Sequence, residues 1–328
     1  MPSREPGGGP LPQLHPHAHL PRPSATLLYS LIALMVLMWT ANFLAAKVAL
    51  GYLDPVTLGP LRVELAALIM LAVYAMTSKT RARTPTARTP FDRRDLWRFF
   101  LLGVFGVAGN QLLFLIGLHY TTVGHSSLII ATGPITILLL ARMQRLELLT
   151  VNKLLGMVLS FSGVALLALE KGISLQAGTL KGDLITFAGS FSFACYTVLS
   201  KRIAPKYNTI SMNTYLYISG AIIVMPLAIW RALRLDWAAV SWQGWLGLLY
   251  LALFGSVCAY LIYFWALRHL AASRLAAFTY FQPVLATLLG VRMLGEEMTH
   301  NLLGGGALVL VGVYLAERRP RRKRAGGE

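Results

Sequence analysis

Charge is scarce in this sequence, and negative charge is scarcest. Asp, Glu, Lys and Arg together make 13% of 328 residues, and only 13 residues are acidic. Soluble domains carry roughly a quarter charged residues. A soluble bundle of buried helices is therefore disfavoured, because it would need polar faces these segments do not have. Cysteine is nearly absent. Cys195 and Cys258 make neither a disulfide framework nor a metal spacing, and read as small buried hydrophobes. The chain has no phosphate-binding glycine loop and no ATP site, which excludes transport driven by ATP on this chain. It has no cluster of His, Asp, Glu or Ser at catalytic spacing, so an integral membrane enzyme is only the competing reading from another class. No catalytic residue, metal or cofactor is expected. The alternating His15, His17 and His19 are a weak metal candidate in a Pro-, Gly- and His-rich N-terminal tail that reads as disordered. No cleavable signal peptide is apparent.

What is present is apolar surface: hydrophobic residues make 56% of the chain. Ten runs free of charge, or nearly so, have the roughly 17–25 residues that cross a bilayer. They are Ser24–Ala46, Pro55–Ser78, Phe99–Leu118, Thr121–Ala141, Leu154–Leu169, Leu184–Ser200, Tyr207–Trp230, Ala238–Leu267, Leu275–Val291 and Met298–Ala316. The expected fold is an all-α integral membrane protein of ten transmembrane helices.

The net charge of +17 invites a nucleic-acid reading, but its distribution points to a membrane. With ten spans both termini lie on one side. That side collects 23 of the 30 Lys and Arg residues, the other side six, and Arg62 lies within span 2. This is a positive-inside pattern, so both termini are expected in the cytoplasm and the chain in the cell's inner (plasma) membrane. The basic tail, residues 318–328, is expected on anionic headgroups, with the lipid bilayer and not nucleic acid as partner.

Shifting the sequence by 149 residues lays Leu102–Leu166 over Leu251–Leu315 without a gap, with 17 of 65 positions identical. Phe105, Gly106, Pro134, Glu147, Thr150, Asn152, Gly156 and Gly163 fall on their own kind. A shift of 154 lays Trp39–Lys47 over Phe193–Lys201. Each unit has an odd number of spans, so the second enters the membrane from the opposite side. The expected organisation is a tail (1–24), two inverted five-helix repeats (25–170 and 176–317) and the basic tail. In such folds the substrate sits near the midplane between the halves, and access alternates.

Trp39-Thr-Ala-Asn42-Phe43-Leu-Ala-Ala-Lys47 resembles the opening motif of the EamA family in the drug/metabolite transporter superfamily. So do Leu61-Arg62, the pairs Pro134/Glu147 and Pro283/Glu296, and Gly182-Asp183 followed by Ala194-Cys-Tyr196. Thr40 stands where the family usually has Gly. The resemblance covers residues 25–318 and implies a permease that exports or exchanges small metabolites, often amino acids or drugs. A sugar-phosphate or nucleotide-sugar exchanger is the alternative within transport. It needs several cavity cations, where only Arg62 and marginally Lys47 qualify.

Ionisable groups inside a membrane are functional candidates by default, and three stand out. Arg62 either binds a carboxylate, closes an interhelical salt bridge or anchors at the interface. Glu64, two residues on, points to another face. His125 is a candidate for proton coupling, with a polar interface residue as the plainer reading. Trp39, Asn42, Asn110, Gln111, Tyr196, Tyr263, Tyr280 and Gln282 complete the expected cavity wall for a small-molecule substrate. Pro134 and Pro283 are expected to break the ladder in spans 4 and 9, as kinks or gates. Glu147, Thr150, Glu296 and Thr299 are expected to cap helices, and Gly156, Gly163 and Gly304-Gly305-Gly306 to let helices approach closely. The chain is expected to act as a monomer or homodimer.

Overall fold

The computed structural model describes residues 23–83, 91–144, 150–168, 178–204, 206–270, 275 and 278–317. The N-terminal histidines, Glu147, the side chain of Tyr280 and the basic tail lie outside them. All regular secondary structure among the described residues is helical, with no strand.

The helices are α1 (Ala25–Leu50), α2 (Pro55–Arg83), α3 (Leu96–Leu102), α4 (Asn110–Tyr120), α5 (Val123–Ile130), α6 (Gly133–Met143) and α7 (Val151–Ala168). They continue as α8 (Gly178–Ile203), α9 (Thr209–Ala232), α10 (Trp242–Tyr250), α11 (Ala259–His269), α12 (Phe281–Leu294) and α13 (His300–Glu317). A π-helical stretch, Gly103–Gly109, fuses α3 to α4, and a second, Leu251–Cys258, fuses α10 to α11.

Seven stretches are long and apolar enough to cross a membrane: Ala25–Leu50, Pro55–Thr77, Arg93–Tyr120, Val123–Met143, Thr179–Lys201, Thr209–Ala232 and Trp242–His269. The remaining expected spans correspond to α7, α12 and α13; the apolar helices Phe281–Leu294 and His300–Gly312 are shorter. Leu68, Met76, Leu233 and Trp242 are each more than 60% exposed. A chain that turns such residues outward along apolar helices is a multi-pass membrane protein, with lipid as the solvent of those faces.

Local sequence sets the helix ends. Ser24 accepts from Leu27 N–H, Thr122 from His125 N–H and Asn208 from Ser211 N–H, each capping a helix start. Thr150 and Thr299 do the same for α7 and α13, accepting from Lys153 and Leu302 N–H at 3.4 and 3.1 Å. Asp54 caps α2 through Val56 and Thr57 N–H and also pairs with Arg231 at the end of α9. At the opposite end of the bundle Lys206 bridges Asp92 and Asp95 at 2.5 and 2.6 Å, and Tyr207 donates to Asp95 at 2.8 Å. Neither proline interrupts a helix midway. Pro134 lies in the first turn of α6, after the α5–α6 break, and Pro283 in the first turn of α12, which continues a 3-10 turn at Phe278–Tyr280; in a first turn a missing N–H is tolerated.

Helix pairs reach across the two halves of the chain: α2 packs on α9, α4 on α8, and α7 on α13. In the last pair Ser160 Oγ donates to Val309 O at 3.2 Å. A Cβ on Gly163 would stand 2.5 Å from Gly305 O, and one on Gly312 would stand 2.6 Å from Gly156 O. The bare glycines are what let these two backbones touch.

Candidate functional site

Between the halves lies a cavity, half open to the outside. From the first half come Trp39, Asn42 and Phe43 of α1, Arg62 of α2, Asn110, Gln111 and Phe114 of α4, and Ile130, Gly133, Pro134 and Ile137 around the α5–α6 break. From the second come Ser190 and Phe193 of α8, Gly255, Tyr260 and Tyr263, Thr279 just before α12 and Gln282 in its first turn. Pro134 has no N–H, so the carbonyl of Ile130 has no helical donor at this wall.

Ten of the eighteen wall residues fall into pairs at the sequence offsets of the repeat. Gln111 and Tyr260, Phe114 and Tyr263, Ile130 and Thr279, and Gly133 and Gln282 are each 149 apart, and Trp39 and Phe193 are 154 apart. The two π stretches share the offset, and each leaves carbonyls for side chains to satisfy. Gly255 O accepts from Trp39 Nε1 at 3.2 Å, and Gly106 O from Tyr260 OH at 3.3 Å. A Cβ on Gly255 would collide with Asn42, and one on Gly106 with Tyr196. Outside the cavity, Lys47 Nζ donates to Thr121 O at 2.7 Å and Lys201 Nζ to Leu270 O at 3.2 Å, positions again 154 and 149 apart.

Arg62 is 3% exposed. Its Nε donates to Ser256 Oγ at 2.9 Å. Ser256 Oγ donates in turn to Gln111 Oε1 at 3.3 Å, and Gln111 Nε2 to Tyr217 OH at 3.0 Å. Every partner on this string is neutral. Arg62 Nη1 is buried without a hydrogen bond, and Asn42 Oδ1 beside it likewise. Arg62 has no acidic partner among the described residues, so it neither closes a salt bridge there nor reaches an interface. Trp39 stacks edge-on to Tyr260 and Phe193 at 5.9 and 6.0 Å, forming an aromatic wall.

Trp39, Asn42, Arg62, Asn110, Gln111, Tyr263 and Gln282 thus come together at one cavity, with Pro134 at its edge. Tyr196 does not line it; fully buried, it packs against Gly106. His125 is also away from it. Its Nδ1 lies 3.0 Å from Asp183 Oδ2, and Asp183 Oδ1 accepts from Thr121 at 2.5 Å. Asp183 extends the set of membrane-embedded ionisable groups beyond Arg62, Glu64 and His125. The uncharged run begins after it at Leu184, but α8 begins earlier, at Gly178, and buries it. Glu296 caps no helix of its own half. Its carboxylate accepts from Val123 and Gly124 N–H at 2.7 and 3.2 Å, at the start of α5. Both acids therefore tie the second half to the α4–α5 corner of the first. Tyr260, Phe193 and Ser190 were missed as wall residues; the repeat offset from Gln111 and Trp39 was the signal for the first two.

The EamA-like transporter family model matches residues 26–169 and again 180–317. An uncharacterized transporter of Archaeoglobus fulgidus is 26% identical over 290 residues, 88% of this chain and 98% of that protein. The uncharacterized transporter YyaM of Bacillus subtilis is 28% identical over 84% of this chain and 88% of its own. A probable terminal-alkyne amino-acid exporter of Streptantibioticus cattleyicolor is 26% identical over 89% of this chain and 94% of its own. A solved crystal structure superposes with a TM-score of 0.63 at 20% identity, covering 89% of this chain and 96% of that one.

Proposed function

Because the chain belongs to the EamA-like transporter family, we propose that it is a secondary transporter that exports or exchanges small amphipathic metabolites by alternating access. The observation that carries this reading is the cavity wall, to which residues at the repeat offsets of 149 and 154 contribute from both halves. That pattern supports ten spans in two inverted five-helix repeats, with the substrate on the pseudo-two-fold axis. Reciprocal contacts add support. Gly163 meets Gly305 while Gly312 meets Gly156, which is how a two-fold axis relates equivalent residues. The positive-inside bias supports the inner (plasma) membrane with both termini cytoplasmic.

Amino acids, drugs and related compounds fit a cavity with an aromatic wall and a few amides. One relative, a probable terminal-alkyne amino-acid exporter, falls within that range of carboxylate-bearing compounds. A sugar-phosphate exchanger is supported less, because a phosphate calls for more than the single guanidinium on this wall. Proton coupling through His125 finds support only in its contact with Asp183, outside the cavity. The test is a metabolite panel in proteoliposomes, run with and without a pH gradient. Uptake or counterflow of at least one class is expected; a broad panel of amino acids, drugs and organic acids with none moved would overturn the reading.

A further inference from the structure

Resting on that transport reading, the charge of the cavity wall narrows the substrate. Arg62 carries a full positive charge at any physiological pH. No Asp, Glu or second cation lines the cavity among the described residues. The string that holds Arg62, through Ser256, Gln111 and Tyr217, is neutral at each link, and Nη1 remains buried without a partner. An isolated buried cation is costly, and an anion that reaches its unpaired edge, through a small shift of the side chains now covering Nη1, removes that cost with charge-assisted hydrogen bonds. An ammonium or other cation finds no balancing charge here. The acceptors on the wall, the side-chain amides and the Ile130 carbonyl, are neutral dipoles.

We propose that this cavity selects organic monoanions, a carboxylate seated on Arg62 with an apolar or aromatic body against Trp39, Phe193 and Tyr260, and that it carries them as a uniporter driven by membrane potential. Export then needs no coupling ion. An inside-negative membrane expels a monoanion, and each 100 mV sustains a concentration ratio of about fifty-fold. This agrees with a cavity wall that offers no carboxylate to carry a proton.

The experiment holds the skeleton constant and varies charge: 3-phenylpropanoate (−1), phenylalanine (net zero) and phenethylamine (+1), with matched indolyl and isobutyl sets. Proteoliposomes at equal pH on both sides receive a tenfold potassium gradient and valinomycin, in each direction. Initial rates are corrected with protein-free vesicles. The propanoates are expected to enter at least about threefold faster at inside-positive than at inside-negative potential, because the field acts on the carried charge. Arg62→Gln should abolish that difference, and Arg62→Lys should retain part of it. Isothermal titration calorimetry of the propanoates with the protein in detergent, its heat lost in Arg62→Gln, checks binding without transport. Amino acids or amines moving faster than the propanoates, or propanoate entry indifferent to potential, would overturn the anion selection and leave the transporter reading standing. If no member of the series and nothing in the broad panel moves, both fall.

Discussion

The contact between α7 and α13 makes a prediction that the structure sizes. A Cβ at Gly163 would stand 2.5 Å from Gly305 O and 2.9 Å from Val309 N; at Gly312 it would stand 2.5 Å from Ser160 Oγ and 2.6 Å from Gly156 O. The obstructing atoms are mostly backbone, so the helices must part by the better part of an ångström to restore ordinary contact. Overpacking of this kind costs about 1–3 kcal/mol. Loss of the Ser160–Val309 bond adds up to about 1 kcal/mol, and the better helix propensity of Ala returns about as much. Gly163→Ala and Gly312→Ala should therefore each lose about 1–3 kcal/mol. Both push apart the same pair of helices and share the Ser160–Val309 contact, so the double variant should lose less than the sum. Gly304 is the internal control, since its Cβ would meet only Leu166 Cδ2 at 3.5 Å. Gly304→Ala should be neutral or stabilising by up to about 1 kcal/mol. The assay is reversible unfolding in mixed micelles. Penalties at Gly163 and Gly312 no larger than at Gly304 would refute the packing argument, and grossly unequal penalties would refute the two-fold relation between them.

Three further outcomes follow from particular contacts. Glu296→Gln removes the charge at the start of α5 while keeping an acceptor, so it should cost about 1–2 kcal/mol and speed exchange of the Val123 and Gly124 amides; unchanged exchange would sink the cap. Arg62→Met loses one charged hydrogen bond, about 1.5–3 kcal/mol, but relieves an unpaired buried cation. Its unfolding free energy should match or exceed that of the parent by about 1–3 kcal/mol while transport is lost, and clear destabilisation would refute the unpaired-cation argument. For pH, hydrogen bonds from Lys206 and Arg94 N–H hold the Asp92 carboxyl below its usual range. Burial pushes Asp54 up, but hydrogen bonds from Thr57 and Arg231 outweigh it and hold it low as well, while Asp92 and Asp95 raise Lys206. Depressed carboxylates stabilise the fold above their unfolded value near 3.9, and that contribution is lost as pH falls through the folded values. The raised lysine stabilises below its unfolded value near 10.4 and loses that contribution as pH rises past the folded one. Thermal melts should be flat from about pH 5 to 9 and fall on the acid side, with a smaller acid drop in an Asp54→Asn, Asp92→Asn double variant; an identical drop would exclude these two groups as its source.

Membrane class and most span positions were legible because they depend on composition over some twenty residues, where single side chains average out. Trp39, Asn42, Arg62, Asn110 and Gln111 stood out for a related reason: a polar group in an apolar run needs a partner or a purpose. Aromatics gave no such contrast. Tyr196 and Tyr263 look alike in sequence, yet Tyr263 faces the cavity and Tyr196 fills the notch at Gly106. Asp183 hid at a helix start, where a charge usually means a loop.

The sequence by itself determined that this chain lives in a bilayer, that its helices repeat at an offset of 149 residues, and which polar groups the apolar runs must accommodate. Tertiary structure alone decided which of those groups meet. It set Arg62 in a neutral pocket with an unpaired edge, sent His125 to Asp183, and carried Glu296 to a helix start more than 170 residues away. The physical reason is that hydrophobicity and charge bias are sums along the chain, whereas a binding site is a coincidence of faces. Which face of each helix turns inward is settled by contacts such as Gly163 on Gly305 and Gly312 on Gly156, where the lack of a single Cβ sets how closely two backbones can approach.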